Sequence, residues 1–139
     1  MAETNNFLPL MLDLSGKKVV IFGGGSVGER KAELFCGVAD TLVVSLDFSR
    51  RLRELEVSGQ VRLIQLDLSK ATDFELRNTI SGAFIVIPAT SSFELNQKIT
   101  AIAQESDILI NQVDTLGNVI IPSVIKRGDL VIGISTLGH

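Results

Sequence analysis

Short β-branched runs alternate along the chain with longer segments of mixed polarity. Residues 18–22, 41–45, 61–65, 83–87 and 107–112 read as strands, and residues 27–38, 49–57, 73–79 and 92–105 as helices. Val19-Val20-Ile21-Phe22 and Phe84-Ile85-Val86-Ile87 are apolar at every position, as parallel strands covered on both faces must be. Strands separated by helix-length segments predict an α/β domain in which each helix carries the chain back to start another parallel strand. In the last helix Ser92 is placed to cap the first turn, and Leu95, Ile99, Ile102 and Ala103 form the buried stripe. Glu94 and Lys98 fall four apart on the same helix, the spacing of a modest ion pair.

The rhythm changes after Gln112. Residues 118–121 and 130–135 are strand-like, and residues 122–129 between them read as a short helical turn ending at Gly128. The chain then stops directly after a strand. This divides it into a first part, 1–113, holding the alternating elements, and an extension, 114–139, that begins a further region. A strand left on an edge there needs cover from another element or a partner subunit, which favours a dimer.

Composition narrows the reading. The chain has 139 residues, of which 45% are hydrophobic and 21% charged, with a net charge of −3. That fits one globular domain with a real core. No basic stripe interleaved with aromatics is present, which argues against nucleic acid as a partner. The apolar runs are far shorter than the roughly 20 residues of a membrane helix, and no secretory signal opens the chain, so the cytoplasm is expected. Cys36, the one cysteine, permits neither an internal disulfide nor a thiolate metal cluster, and reads as a small core residue on a helix. No metal-ligand set is visible, and the single histidine, His139, is terminal.

The chemistry begins where the first strand runs into Gly23-Gly24-Gly25-Ser26-Val27-Gly28 and a helix. Gly23 permits the tight turn, Gly25 lets a pyrophosphate approach the backbone, and Gly28 lets the helix pack closely on the sheet. The free amides of Ser26 and Val27 at the helix start would face the phosphates. This predicts a dinucleotide site. The acid expected about 20 residues on, to hold the adenine ribose, is Asp47. It falls slightly past the second strand, which ends near Ser45, and Phe48 beside it either lies against the adenine or packs under the loop. No arginine stands at the position of a 2′-phosphate, although Arg50 and Arg51 follow shortly, so NAD is favoured over NADP. Arg30 and Lys31 either reach ligand anions or sit on the surface.

A second loop, Pro88-Ala89-Thr90-Ser91-Ser92, leaves the fourth strand at its carboxyl end. Ala89 leaves room for the nicotinamide ribose, the hydroxyl of Thr90 can donate to it, and Asn96 can tie the loop down. The next strand delivers Asp114 to the same end of the sheet. Asp114 is either a carboxylate that handles a proton or a charged group, or the first residue of an Asx turn in Asp114-Thr115-Leu116-Gly117. The lack of an internal histidine argues against the imidazole acid/base of common alcohol dehydrogenases.

These residues together carry a family resemblance over essentially the whole chain. Pro9-Leu10-Met11-Leu12-Asp13-Leu14, the triple glycine with Glu29-Arg30-Lys31, Ala89-Thr90 with Asn96, Asn111-Gln112-Val113-Asp114, Ile120-Ile121-Pro122-Ser123 and the 129–138 tail resemble, in order, the amino-terminal NAD-binding domain of the siroheme synthase family. The family comprises precorrin-2 dehydrogenases and sirohydrochlorin ferrochelatases. The resemblance implies a Rossmann-like parallel sheet with a strand before the first sheet strand, and oxidation of precorrin-2 to sirohydrochlorin by NAD. It also implies, in many members, insertion of Fe²⁺ as a second substrate. It assigns the catalytic aspartate to Asp114 and the NAD contacts to Ser26, Val27, Asp47 and Phe48, with no protein metal site. It further implies a homodimer built by a region beyond Gly138. Ser91 and Ser92 replace a usual pair of acids, and Gln112 a usual valine. A rival reading is a regulatory NAD-sensing module of the potassium-uptake type. Such modules place an acid where this chain has Ser45, and lack the Pro-Ser and Gly-Asp-Leu tail.

Overall fold

A computed structural model describes residues 6–113 and 117–137. Five parallel strands, β1 (Lys18–Phe22), β2 (Asp40–Ser45), β3 (Arg62–Gln65), β4 (Ala83–Pro88) and β5 (Leu109–Ile110), form one sheet in the order β3-β2-β1-β4-β5. Four helices connect them: α1 (Ser26–Phe35), α2 (Arg50–Val57), α3 (Asp73–Ile80) and α4 (Phe93–Glu105).

Side chains alternate across β1, and that alternation builds two core layers. Val19 and Ile21 pack with Ala32, Phe35, Leu52 and Leu55 of α1 and α2, whereas Val20 and Phe22 pack with Leu76, Ile80, Ile99 and Ile102 of α3 and α4. All four of these β1 residues are wholly buried, which is why β1 has no polar face. Helix starts are set by local chemistry. The Ser49 and Ser92 hydroxyls accept from Leu52 N and Leu95 N, and Thr72 with Glu75 closes a reciprocal capping box on α3. The expected α4 stripe is buried at Ile99, Ile102 and Ala103, with Leu95 packed at its edge.

Several expectations need correction. Lys98 finds its carboxylate on α3, 2.9 Å away at Asp73, and so staples two helices together. The expected fifth strand shrinks to Leu109–Ile110, its start delayed by Asp107, which turns the chain at φ +55°. The segment 6–14 is not a strand; Leu8, Leu10 and Met11 are largely exposed. Cys36 caps the end of α1, half-buried at the rim of the α1–α2 core.

The largest correction follows Gln112. Residues 118–121 are not a strand, and the expected helical turn is instead β6 (Ser123–Arg127), paired antiparallel with β7 (Leu130–Ile134). Gly128, at φ +60°, opens a two-residue turn, the geometry that Gly-X favours in hairpins. Both strands are exposed along their whole length. Residues 117–119 instead lie beside β5. Asn118 Oδ1 accepts from Ile110 N at 2.6 Å, Val119 N donates to Ile110 O, and Asn111 Nδ2 donates to Val119 O.

Candidate dinucleotide site

The order of strands reverses direction at β1: the chain steps outward to β2 and β3, then crosses back to β4 on the other side. Loops leaving β1 and β4 therefore part, and a crevice opens at the carboxyl ends of the strands. A cleft of about 950 Å³ lies there. Gly23, Gly25, Ser26, Val27, Asp47, Phe48, Ala89 and Thr90 all line it.

The glycines do different work. Gly23 has φ +123°, and a side chain there would run into the backbone of Ala89 and Thr90. Its absence lets the turn after β1 close against the loop after β4. Gly28 lies outside the cleft lining; a Cβ on it would meet the Gly23 carbonyl, so its bareness seats α1 under the turn. Gly25 faces open space. It is also the N-cap of α1 and supplies no side-chain hydrogen bond, which leaves the first-turn amides free to hold an anion. Gly24, given no separate role by its spacing, is as crowded as Gly23 and Gly28: a Cβ would strike the Asp47 carbonyl. Ser49 N donates to Gly24 O at 2.8 Å, and the Ser49 hydroxyl donates to Glu29 at 2.8 Å. Glu29 thus ties the loop carrying Asp47 to the helix that follows the glycines.

Asp47 is exposed at the rim and Phe48 half-buried behind it, with the Arg53 guanidinium 5.8 Å from the Phe48 ring. Phe48 packs against the α1–α2 core while still lining the cleft, so both of its expected roles are geometrically open. Arg50 and Arg51 are engaged by carboxylates: Arg50 by Glu54 at 3.3 Å, Arg51 by Glu33 at 3.0 Å and by Glu54 at 3.5 Å. Hydrogen bonding to Glu33 is the main reason the Arg51 guanidinium is held above its ordinary value. Lys31 is half-buried outside the cleft lining, and burial, helped by Arg30, pushes its amine down.

The loop after β4 is held by Asn96, which is 4% exposed. Thr90 N and Thr90 Oγ donate to Asn96 Oδ1 at 3.1 and 2.6 Å, and Asn96 Nδ2 donates to Thr90 O at 3.0 Å. The Thr90 proton is therefore spent within the protein. The same hydroxyl accepts from Ser92 N at 3.2 Å. Asp114 lies outside the described residues. The strand before it ends at Ile110, and the Oδ1 of the next residue, Asn111, is buried with no hydrogen-bond partner among the described residues.

Sequence reasoning missed the far wall of the cleft. Leu46, Asp67, Leu68, Ser69, Ala71, Glu94, Leu95 and Lys98 also line it. Leu66-Asp67-Leu68-Ser69 directly follows β3 at the same sheet end as the glycines, and that placement is the signal that could have found it.

A doubly wound parallel sheet, a glycine turn feeding an uncapped helix, and a cleft at the strand switch point define a dinucleotide-binding domain. The chain belongs to the family described as "Putative NAD(P)-binding", which matches residues 10–123. It is 81% identical over all 139 residues to a precorrin-2 dehydrogenase of Methanosarcina barkeri, covering 62% of that protein. A siroheme synthase of Yersinia enterocolitica is 33% identical over 137 residues, covering 96% of this chain and 28% of that one. Among solved structures, SirC, a precorrin-2 dehydrogenase, superposes with a TM-score of 0.78 at 29% identity, covering 95% of this chain and 63% of that one. The chain thus spans less than two thirds of the length of these relatives.

Proposed function

We propose that the protein oxidises precorrin-2 to sirohydrochlorin, with NAD⁺ as the hydride acceptor. The observation that carries this reading is the 81% identity, along the whole chain, to a protein named precorrin-2 dehydrogenase. The geometry supports it, because the cleft has the parts a dinucleotide needs. The α1 amides and Gly25 would hold the pyrophosphate, Asp47 would accept from the adenine ribose, and Ala89 and Thr90 would border the second ribose. Bound NAD⁺ supplies the electron sink; the chain supplies position and proton handling. Asp114, following β5, would take the proton that leaves the macrocycle as the hydride departs. Ser91 and Ser92, in place of acids, keep negative charge away from a polycarboxylate substrate. Arg50 and Arg51, both occupied by carboxylates, favour NAD over NADP.

The same reading extends to Fe²⁺ insertion into sirohydrochlorin, with Asp114 accepting pyrrole protons and iron entering as a substrate. It also makes the protein a homodimer. The β6–β7 ribbon exposes Ile125, Leu130, Ile132 and Ile134, and a two-stranded ribbon alone is marginal in water. Among the described residues no helix is long and apolar enough to cross a membrane, in keeping with a site of action in the cytoplasm.

The test is anaerobic incubation of the intact protein with precorrin-2 and NAD⁺, following NADH and sirohydrochlorin together. Turnover by the wild type is expected, with Asp114→Asn losing at least about 100-fold in rate while NAD⁺ binding stays unchanged. Tight NAD⁺ binding without turnover by the wild type would sink the dehydrogenase reading.

A further inference from the structure

Two of the described lysines and arginines are half-buried, Lys18 and Lys31; the others are exposed. Lys18 is satisfied, because its Nζ donates to Thr79 O at 3.2 Å and to Ser81 O at 3.0 Å. Lys31 has neither a hydrogen bond nor an ion pair among the described residues. Burial, and then the charge of Arg30 beside it, hold the Lys31 amine below its ordinary value. A cation kept partly out of water with no counter-charge costs stability. An apolar side chain of the same length would serve the fold at least as well, so the ammonium calls for an anion from outside it.

The phase of α1 says where that anion must come. Gly28, Ala32 and Phe35 are buried against the sheet. Glu29 and Glu33 face α2, where they meet Ser49 and Arg51. At about 100° per residue, Val27 and Lys31 fall together on the flank opposite those two acids. That flank overlooks β4 and β5. On this side of the sheet their residues Ile85, Ile87 and Leu109 pack with Ile121, while α3 and α4 lie on the other side. Val27 lines the dinucleotide cleft, and Lys31 stands one turn, about 6 Å, further along the helix, outside that lining. Helical side chains lean toward the N-terminus, so the ammonium reaches back toward Val27 and the end of the sheet where β5 finishes.

The dinucleotide phosphates are not this anion. They belong at the first-turn amides of α1, a turn before Lys31. The other anion in the proposed reaction is the substrate, a macrocycle edged with carboxylates. It must approach over β4 and β5 to meet the reacting arm, because Ala89 and Thr90 border the second ribose and Asp114 follows β5. We propose that Lys31 anchors one peripheral carboxylate of the tetrapyrrole and so sets how the ring lies against the nicotinamide. The inference rests on the dehydrogenase reading and deepens it, by naming a residue that recognises the substrate rather than the cofactor.

The experiment follows anaerobic steady-state oxidation of precorrin-2 by the intact protein, with NAD⁺ affinity measured separately by titration calorimetry. Lys31→Met should raise the KM for precorrin-2 at least about tenfold, the scale of a lost hydrogen bond between charged groups. Its kcat should change less than about threefold, because the anchor acts alike before and during the reaction. NAD⁺ affinity should stay within about twofold, and Tm without ligand should match or exceed that of the wild type. Lys31→Arg keeps the charge and should return the KM to within about threefold of wild type. Lys31→Gln keeps a donor without the charge, should resemble Lys31→Met, and replaces it if methionine prevents folding. An unchanged KM in the neutral variants overturns the anchor, while wild-type turnover leaves the dehydrogenase reading intact. Weakened NAD⁺ binding would make Lys31 a cofactor contact, and a fall in Tm in the neutral variants would make it structural; either overturns the proposal. Wild-type protein that binds NAD⁺ without oxidising precorrin-2 overturns the dehydrogenase reading and the anchor with it.

Discussion

Gly25 and Gly28 stand three positions apart in one motif, yet alanine at each should fail in a different way. At Gly28 a Cβ would drive into the Gly23 carbonyl, a rigid backbone group with no rotamer to yield. Forcing a methyl into such a contact costs about 1–3 kcal/mol, while alanine in place of glycine in a helix returns up to about 1 kcal/mol. Because the struck group is backbone, the cost falls at the upper end, about 2–3 kcal/mol, and the net loss is about 1–2 kcal/mol, or a fall in Tm of about 3–8 °C for a domain of this size. At Gly25 the added Cβ meets nothing, and the backbone, at φ −91° and ψ −158°, is one that alanine adopts without strain. Alanine is a poorer N-cap than glycine by some tenths of a kcal/mol, and a similar amount is regained from the stiffer unfolded chain. Stability should therefore stay within about 0.5 kcal/mol. The methyl would stand in the space before the α1 amides, where a pyrophosphate must come close, and NAD⁺ affinity should fall at least about tenfold. Thermal unfolding without ligand and calorimetric titration with NAD⁺ give the two readouts on each variant. A Gly25→Ala protein that binds NAD⁺ like the wild type, or a Gly28→Ala protein as stable as the wild type, would refute the division of labour.

Two further outcomes follow from other contacts. Asn96→Ala leaves the buried amide and hydroxyl of Thr90 short of their partner and should cost about 2–3 kcal/mol in urea unfolding; a loss under about 0.5 kcal/mol would contradict the clamp. Lys98 holds the Asp73 carboxyl below its ordinary value, first through its hydrogen bond and then through its charge. A depressed folded-state pKa contributes stability above the unfolded value of 3.8 that is lost as pH falls through the folded value. The stability gap between wild type and Lys98→Met should therefore be present at pH 6 and vanish near pH 2. A gap that is constant with pH would assign the effect to packing instead.

The sheet and the glycine turn were legible because each needs only local pattern: continuous apolar runs, glycines at fixed spacing, and Ser92 ahead of a helical stripe. Lys98 shows where local reading stops. Its sequence neighbour Glu94 satisfies the helix-pair rule, but Asp73 is brought to it by packing of α3 on α4, which spacing cannot reveal. The hairpin was misread because Lys126-Arg127-Gly128-Asp129 reads equally as the end of a helical turn or as a type II′ turn. Pairing of β6 with β7 decides between them. The Asp67 wall went unread for a related reason. Its members come from the loops after β2 and β3 and from α4, and no single stretch of sequence contains the pattern.

Crowding at Gly23 also sets an order of events during synthesis. The turn after β1 is finished only by the backbone of Ala89 and Thr90, about 65 residues later, a delay of several seconds at ordinary rates of translation. Until β4 has emerged, the central strand lacks one neighbour and Gly23 lacks the loop it closes against. Ala89 and Thr90, which line the cleft, come from the same late segment, so the cleft is complete only once β4 and the loop after it are in place.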